Sequence, residues 1–140
     1  MKVVLAVDGS VYTKHMLAYI AAREELVGKD NEFVALNVTV AVPPHATHFL
    51  SHDLLQQYYQ DEGEKVLRPV REFSQMQGWK LRERHAVGHP GDTLAEMVND
   101  EKPDLLVMGS HGHGAFLSAV LGSVASRVLA HTKAPVLIVR

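Results

Sequence analysis

The sequence contains no cysteine, which excludes a disulfide framework, a thiolate nucleophile and a thiol redox switch. It has no excess of basic residues: its formal net charge is −2, and a nucleic-acid-binding surface needs clustered positive charge. It has no apolar run near the roughly 20 residues of a membrane span, and its first apolar segment is too short for a signal peptide. We therefore expect a cytoplasmic protein with neither a nucleic-acid nor a membrane partner.

Hydrophobic residues make up 46% of the 140 residues, enough for one compact domain spanning residues 1–140. Short apolar segments typical of buried strands alternate with longer amphipathic segments typical of helices. Strands are predicted at residues 3–7, 33–40, 80–87, 104–108 and 136–139. Helices are predicted from residue 10 to 26 or 27, from 51 to 77, from 92 to 99 and from 124 to 131.

This alternation predicts the α/β class, with an open, Rossmann-like sheet of five mostly parallel strands and helices on both faces. Ligands in such sheets bind beyond the carboxyl ends of the strands, where the strand order reverses. Asp8 follows the first strand and Gly109 follows the fourth. If these two strands are neighbours, the acid and the glycine face one crevice.

Local signals predict how individual helices begin, bend and end. Ser10, Ser51 and Asp92 are expected to be N-cap residues, because their side-chain oxygens can accept bonds from unpaired backbone N–H groups. Pro69 lies inside the second helix and removes a hydrogen bond there, so we expect a kink or a break near Arg68. Gly78 is expected to end that helix.

A glycine-rich segment joins the fourth strand to the last helix. It reads Gly109-Ser110-His111-Gly112, then nine residues, then Gly122-Ser123. A strand that leads through such a loop to a helix N-terminus can cradle phosphate groups, because glycine lets backbone N–H groups approach an anion. The spacing matches neither the P-loop nor the dinucleotide-binding fingerprint. Taken alone, the glycines equally fit an ordinary turn.

Several short motifs in this order resemble the universal stress protein family over essentially the whole chain. They are residues 4–10 (VLAVDGS), 36–38 (LNV), 88–92 (GHPGD), 108–112 (MGSHG), 122–125 (GSVA) and 134–139 (APVLIV). The pattern G-x-x-G, nine residues, then G-[ST] is similar to that of the ATP-binding branch. The resemblance implies a fold like that of the adenine nucleotide alpha hydrolases, with ATP as ligand, alone or with Mg²⁺ or Mn²⁺.

The resemblance also implies a set of binding residues and no catalytic or metal-ligating residue. Asp8 would accept hydrogen bonds from the ribose or contact the adenosine; the alternative is a turn residue before a helix. Val38 would offer backbone groups to the adenine, although it could equally be plain core. The glycines and the start of the last helix would hold the phosphates. The implied binding residues are Ala6, Val7, Asp8, Val38, Met108, Gly109, His111, Gly112, His113, Gly114, Gly122, Ser123 and Val124.

The glycine segment departs from the family pattern in its charge. It has no lysine or arginine between Gly109 and Arg127, where many relatives carry basic residues. Only His111 and His113 can supply positive side-chain charge, and histidine titrates near physiological pH. One hypothesis is that nucleotide affinity rises as the pH falls from about 8 to about 6. The alternative is that both imidazoles are neutral loop donors.

The remaining histidines and charged residues give weaker signals. His48 and His52 have the i, i+4 spacing of helical zinc ligands, but no cysteine and only Asp53 accompany them, so we predict no metal site. The other histidines (His15, His85, His89 and His131) are expected at the surface or an interface. The charged segments 62–65 and 82–84 are expected on solvated faces.

Three functions remain open at this point. The first is a regulatory, stress-response protein that binds ATP with little or no catalysis. The second is a slow ATPase or adenylyl-transferring enzyme, although the loop lacks the cation such chemistry needs. The third is a nucleotide-free dimeric signalling module. The resemblance implies a homodimer through the last strand, residues 136–139, which we expect at the sheet edge; a monomer with that edge covered is the alternative.

Overall fold

The computed structural model describes residues 1–113 and 120–140. Strands and helices alternate along the chain, with one additional short helix before the longest one. The strands are β1 (Lys2–Ala6), β2 (Glu32–Val40), β3 (Lys80–Gly88), β4 (Leu105–Gly109) and β5 (Val136–Val139). The helices are α1 (Val11–Ala21), α2 (Pro44–Thr47), α3 (His52–Gln77), α4 (Pro90–Glu101) and α5 (Ser123–His131).

The five strands form one open sheet in the order β3-β2-β1-β4-β5. This confirms the predicted α/β architecture, and every pairing between the described strands is parallel rather than mostly parallel. β1 lies at the centre, which explains its unbroken apolar run, because a central parallel strand is covered on both faces. β3 and β5 are the two edges, as predicted for β5.

Each face of the sheet is covered by its own pair of helices. Along β1, Val3 and Leu5 pack in the cluster that contains residues of α1 and α3, and Val4 packs in the cluster that contains residues of α4 and α5. The alternation follows from the period of two of a strand. No helix within the described residues is long and apolar enough to cross a membrane.

Helix α1 is shorter than predicted and ends at Ala21 rather than near Val27. Beyond it, the Arg23 N–H donates to the Ile20 carbonyl and the Leu26 N–H to the Arg23 carbonyl, which are separate turns rather than a continued helix. Leu26 is exposed and only Val27 is buried. The segment therefore has too little apolar contact with the core to hold a further helical turn. Ser10 is the N-cap residue, but its side chain makes no capping bond.

Helix α3 runs unbroken through Pro69, so the break at this proline is wrong, while the kink stays a prediction. Leu67 and Val70, on either side of the proline, are both buried against the sheet. This packing holds the helix together although the proline cannot donate a backbone bond. The two ends are as predicted: the Ser51 Oγ accepts from the Leu54 N–H at 3.2 Å, and Gly78 ends the helix with φ +71°.

Helix α4 begins earlier than predicted, so Asp92 is not its N-cap residue. The cap is His89, and Pro90 starts the helix, because the fixed φ of proline suits the first helical position. Asp92 lies in the first turn, where its Oδ1 accepts from Arg127 Nε at 2.6 Å. The hydrogen bond from Arg127 lowers the pKa of the Asp92 carboxyl and ties α4 to α5.

Candidate functional site

The strand order reverses at the centre of the sheet, on either side of β1. From β1 the chain proceeds outward through β2 and β3 on one side, and through β4 and β5 on the other. Ala6 pairs with Met108 at the carboxyl ends of β1 and β4. The crevice beyond these ends therefore lies between Asp8 and the glycine segment, as expected for neighbouring strands.

A cavity of about 960 Å³ occupies this crevice, within the usual size range of small-molecule sites. All the predicted binding residues line it except Gly114, which lies outside the described residues. Its walls come from the ends of β1, β2 and β4, from α3, and from the first turns of α4 and α5. The residues that were not predicted include Gly9, Thr13, Thr39, Val40, Tyr58, Glu62, Lys65, Val66, Pro90 and Leu94.

Asp8 is held in place by the start of α1. Its Oδ1 accepts from the Ser10 N–H at 2.9 Å and from Thr13 Oγ1 at 3.0 Å, while its own N–H donates to Thr13 Oγ1 at 3.1 Å. The other oxygen, Oδ2, has no hydrogen-bond partner among the described residues and lies beside Gly112. Asp8 is thus both a turn residue and a carboxylate with one acceptor oxygen to spare.

At each of the three described glycines of the loop, a Cβ would approach a different neighbour. A Cβ at Gly109 would lie 2.7 Å from the Tyr12 Cβ, so this glycine allows β4 to approach α1. A Cβ at Gly112 would lie 2.5 Å from Asp8 Oδ2. A Cβ at Gly122 would lie 3.2 Å from the His111 Cα, and the Gly122 N–H donates to the Ser110 carbonyl at 2.7 Å. The loop is therefore closed against Asp8 and against itself.

The first turn of α5 supplies backbone donors to the cavity. Gly122 is the N-cap, and its carbonyl accepts from the Ser126 N–H at 3.0 Å, the first bond of the helix. The N–H groups of Ser123, Val124 and Ala125 precede that bond and have no partner within the helix. All three residues line the cavity. Together with the helix dipole they form an arrangement that favours an anion.

Strand β2 presents an edge of backbone groups on the opposite wall. Its pairing with β1 ends at Leu36, whose carbonyl accepts from the Val7 N–H at 3.0 Å. Residues two apart on a strand direct their backbone groups to the same side, so Val38 directs its N–H and carbonyl past the end of β1. The side chain of Asn37 donates to the Val7 carbonyl at 2.8 Å and fixes this corner.

The two loop histidines make different contacts. His113 Nε2 donates to the Asp8 carbonyl at 2.9 Å, which joins the glycine segment to the loop after β1. His111 Nδ1 lies 2.9 Å from Ser110 Oγ, and its ring lies 5.3 Å from the ring of Tyr12. A carbonyl oxygen can only accept, so His113 Nε2 carries a hydrogen in this bond whether the imidazole is neutral or charged. The bond therefore does not test whether nucleotide affinity depends on pH, and that dependence stays a prediction.

Helix α3 contributes a charged pair that the sequence pattern did not place in the site. Lys65 Nζ donates to Glu62 Oε1 at 2.8 Å, and this bond raises the pKa of Lys65. Lys65 is on a solvated face, as predicted, with its side chain 71% exposed, and Glu62 is 34% exposed. Both residues also line the cavity, which was not predicted. Among the described residues that line it, Lys65 is the only lysine or arginine. The amphipathic pattern of α3 predicts which face of the helix is buried. It does not predict which residues along the helix lie beside the cavity, because that depends on how α3 packs on the sheet.

His85 was expected at the surface or an interface, and the structure places it half-buried between β3 and α3. It lies on β3 with its Nε2 2.7 Å from Thr39 Oγ1, and burial lowers the pKa of its imidazole. Its ring packs against the backbone of α3 at Gly63, where a Cβ would lie 2.8 Å from the His85 Cδ2. The missing side chain at Gly63 lets α3 lie close to β3 beside the cavity.

Within residues 1–113 and 120–140, no three histidine, aspartate or glutamate side chains converge closely enough to hold a metal ion.

The profile of the universal stress protein family matches residues 1–140. Protein Rv1636 of Mycobacterium tuberculosis is 30% identical over 142 residues, covering 98% of this chain and 94% of its own. Protein MJ0531 of Methanocaldococcus jannaschii is 32% identical over 90 residues, covering 64% and 53%, and Slr1230 of Synechocystis is 30% identical over 139 residues, covering 99% and 42%. The chain thus spans about half the length of the last two relatives. All three are described as universal stress proteins.

Solved structures share the fold over nearly the whole chain. Protein MJ0577 superposes with a TM-score of 0.82 at 25% identity, covering 99% of this chain and 94% of its own. A universal stress protein in complex with cAMP gives a TM-score of 0.66 at 25% identity, covering 100% and 96%. A family protein from Arabidopsis thaliana with AMP bound gives 0.71 at 21% identity, covering 99% and 90%, which speaks for the fold alone.

Proposed function

Because this chain belongs to the universal stress protein family, we propose that it is a regulatory protein that binds an adenine nucleotide, with ATP as its ligand. One observation carries the proposal: predicted binding residues as far apart in the sequence as Ala6 and Val124 line one cavity at the point where the strand order reverses. The adenine ligands of the two nucleotide-bound family structures, cAMP and AMP, are consistent with it.

The base would lie against the end of β2. Val38 offers one backbone donor and one backbone acceptor there, and an adenine edge offers the complementary pair, an acceptor ring nitrogen and an amino donor. Apolar side chains of the cavity wall, including Val40 and Leu94, would cover the faces of the base. The ribose would lie between β1 and β4, where Asp8 Oδ2 can accept from a hydroxyl group.

The phosphates would lie at the first turn of α5. The N–H groups of Ser123, Val124 and Ala125 point out of the helix end, and the Ser123 hydroxyl adds a donor. A divalent ion fits this site only if the phosphates themselves supply ligands, since the described residues form no metal-binding cluster. Mg²⁺ is commonly held in this way, with few protein ligands. Asp8 and Ser123 are the oxygen donors that could join it.

Calorimetric titration of the purified, nucleotide-free protein tests the proposal. We expect ATP to bind at one site per chain with a Kd in the micromolar range, about −8 kcal/mol. GTP should bind at least about tenfold more weakly, because its base reverses the donor and acceptor facing Val38. Absence of heat with ATP, AMP and cAMP alike, for a protein with an intact unfolding transition, would contradict the proposal.

We also propose that the protein forms a homodimer through β5. This strand is an edge of the sheet, and Val136, Leu137 and Ile138 are only partly buried in the single chain. An unpaired edge can add the same strand of a second copy. Light scattering should give twice the chain mass of 15.5 kDa. Ile138→Lys should reduce it to the monomer mass; a monomeric wild type would rule the dimer out.

A further inference from the structure

The cavity has an unfavourable charge balance for a polyphosphate. Two carboxylates line it, Asp8 and Glu62, and neither belongs to the glycine segment. Lys65 is the single lysine or arginine among the described lining residues, and its ammonium is already paired with Glu62. Backbone N–H groups and the helix dipole supply only partial positive charge. A bound triphosphate would therefore be stabilised by a full positive charge, which Lys65 could supply, alone or together with a divalent ion.

Lys65 lines the cavity from the turn of α3 that lies nearest the loop after β1. The next residue, Val66, approaches the loop after β1: its Cγ2 lies 3.3 Å from where a Cβ of Gly9 would be, and His113 Nε2 lies 3.9 Å from the same point. This turn of α3 is thus packed beside the loop after β1 and the beginning of the glycine segment. The Lys65 side chain is 71% exposed, so its stem is free to change direction.

The present partner of Lys65 holds it weakly. The pair with Glu62 is an i, i+3 contact at the cavity rim, and Glu62 is 34% exposed. Exposed ion pairs of this kind contribute little, because solvent screens them and two flexible side chains must be ordered. A phosphate presents more charge and more acceptor oxygens than one carboxylate, so it competes well for an ammonium group.

We propose that Lys65 is the phosphate-binding cation of this site and that it exchanges Glu62 for the nucleotide phosphates on binding. This inference rests on the proposed function and adds to it a preference for ATP over AMP. Because the attraction grows with the charge of the phosphate chain, Lys65 favours ATP over AMP. Before the nucleotide binds, Glu62 holds the Lys65 ammonium at the rim of the cavity. When the phosphates bind Lys65, the Glu62 carboxylate is released to solvent.

Calorimetry with ATP and AMP at constant ionic strength tests the exchange. Lys65→Met should weaken ATP binding about tenfold, as for loss of one charge-assisted bond, and AMP binding less than about threefold. Lys65→Arg should keep the preference for ATP. Glu62→Gln should strengthen ATP binding about two- to threefold, because the competing carboxylate is gone. Lys29→Met is the matched control: it removes an exposed lysine before the amino end of β2, whereas the cavity lies beyond the carboxyl ends of the strands, and it should change neither affinity.

The outcomes separate this inference from the proposed function. If the wild type binds neither nucleotide, the proposed function fails and the exchange fails with it. If the wild type binds both and Lys65→Met weakens them equally, or leaves ATP unchanged, the exchange alone is overturned. An unchanged unfolding midpoint of Lys65→Met ensures that a loss of ATP binding does not come from a damaged fold.

Discussion

Gly112→Ala is expected to lower the affinity for ATP at least about 30-fold, or about 2 kcal/mol. The new methyl group would lie 2.5 Å from Asp8 Oδ2, far inside contact distance. Asp8 cannot easily yield, because its Oδ1 is held by the Ser10 N–H and Thr13 Oγ1. Either the loop or the carboxylate must move, and both line the cavity. Calorimetric titration with ATP measures the loss.

The fold should survive this substitution. Overpacking at one loop position costs about 1–3 kcal/mol, which corresponds to a fall of a few degrees in the unfolding midpoint. Gly28→Ala is the matched control, because a Cβ there has 3.4 Å to its nearest neighbour, the Glu24 carbonyl, and because Gly28 precedes the amino end of β2, away from the cavity beyond the carboxyl ends. Wild-type ATP affinity in a folded Gly112→Ala protein would show that this loop does not hold the nucleotide.

Glu101→Gln is expected to reduce the free energy of unfolding by about 2 kcal/mol. Glu101 ends α4 with its side chain 6% exposed, and it accepts two bonds from Arg82, at 2.6 and 2.9 Å, and one from Arg84 at 2.8 Å. These bonds, chiefly that from Arg82, lower the pKa of the Glu101 carboxyl from 4.5 to about 2. That difference corresponds to about 3 kcal/mol, and solvent near the half-exposed Arg82 reduces it.

The same ion cluster predicts how stability depends on pH. Since the pKa of Glu101 is lower in the folded chain, its stabilisation is complete above pH 4.5 and is lost as the pH falls from there toward 2. Urea unfolding of the wild type and of Glu101→Gln should therefore differ at pH 7 and converge near pH 2. Glu64→Gln removes an exposed ion pair with Arg71 and serves as the control, with a smaller effect. Equal stability of the wild type and Glu101→Gln at pH 7 would contradict this role.

Much of the fold could be predicted because its signals are local. Each buried strand is an apolar run in the sequence. In a parallel α/β sheet, the carboxyl ends of all strands lie on the same side of the domain. Asp8 and Gly109 could therefore be assigned to one crevice from their positions after two strands, given that β1 and β4 are neighbours. The order of the strands itself follows from packing between distant segments.

The errors and omissions share a physical cause, which is contact between residues far apart in sequence. Lys65 and Glu62 look like surface charges on a helix, and only the position of α3 beside Gly9 brings them to the cavity. Arg82 and Arg84 look like a solvated strand face, yet both bind Glu101, which is 17 to 19 residues away. No local pattern contains either contact.

The glycine pattern was predicted as a unit, but its members have different roles. Gly109 was expected to make room for phosphates, which stays a prediction, and a Cβ there would also lie 2.7 Å from the Tyr12 Cβ of α1. Gly112 makes room for Asp8, and the loop backbone limits Gly122. A motif gives the spacing at which side chains are absent. Why each of these positions lacks a side chain depends on the atoms around it in the folded chain, and the spacing of a motif does not describe them.

The most direct test of nucleotide binding is to denature the freshly purified protein and identify the small molecules it releases by chromatography and mass spectrometry. A site built from the ends of β1, β2 and β4 and the start of α5 predicts ATP or ADP at up to one molecule per chain, with none from Gly112→Ala. A wild-type protein that releases no nucleotide, and that gives no calorimetric signal with added ATP, would contradict the assignment of the cavity.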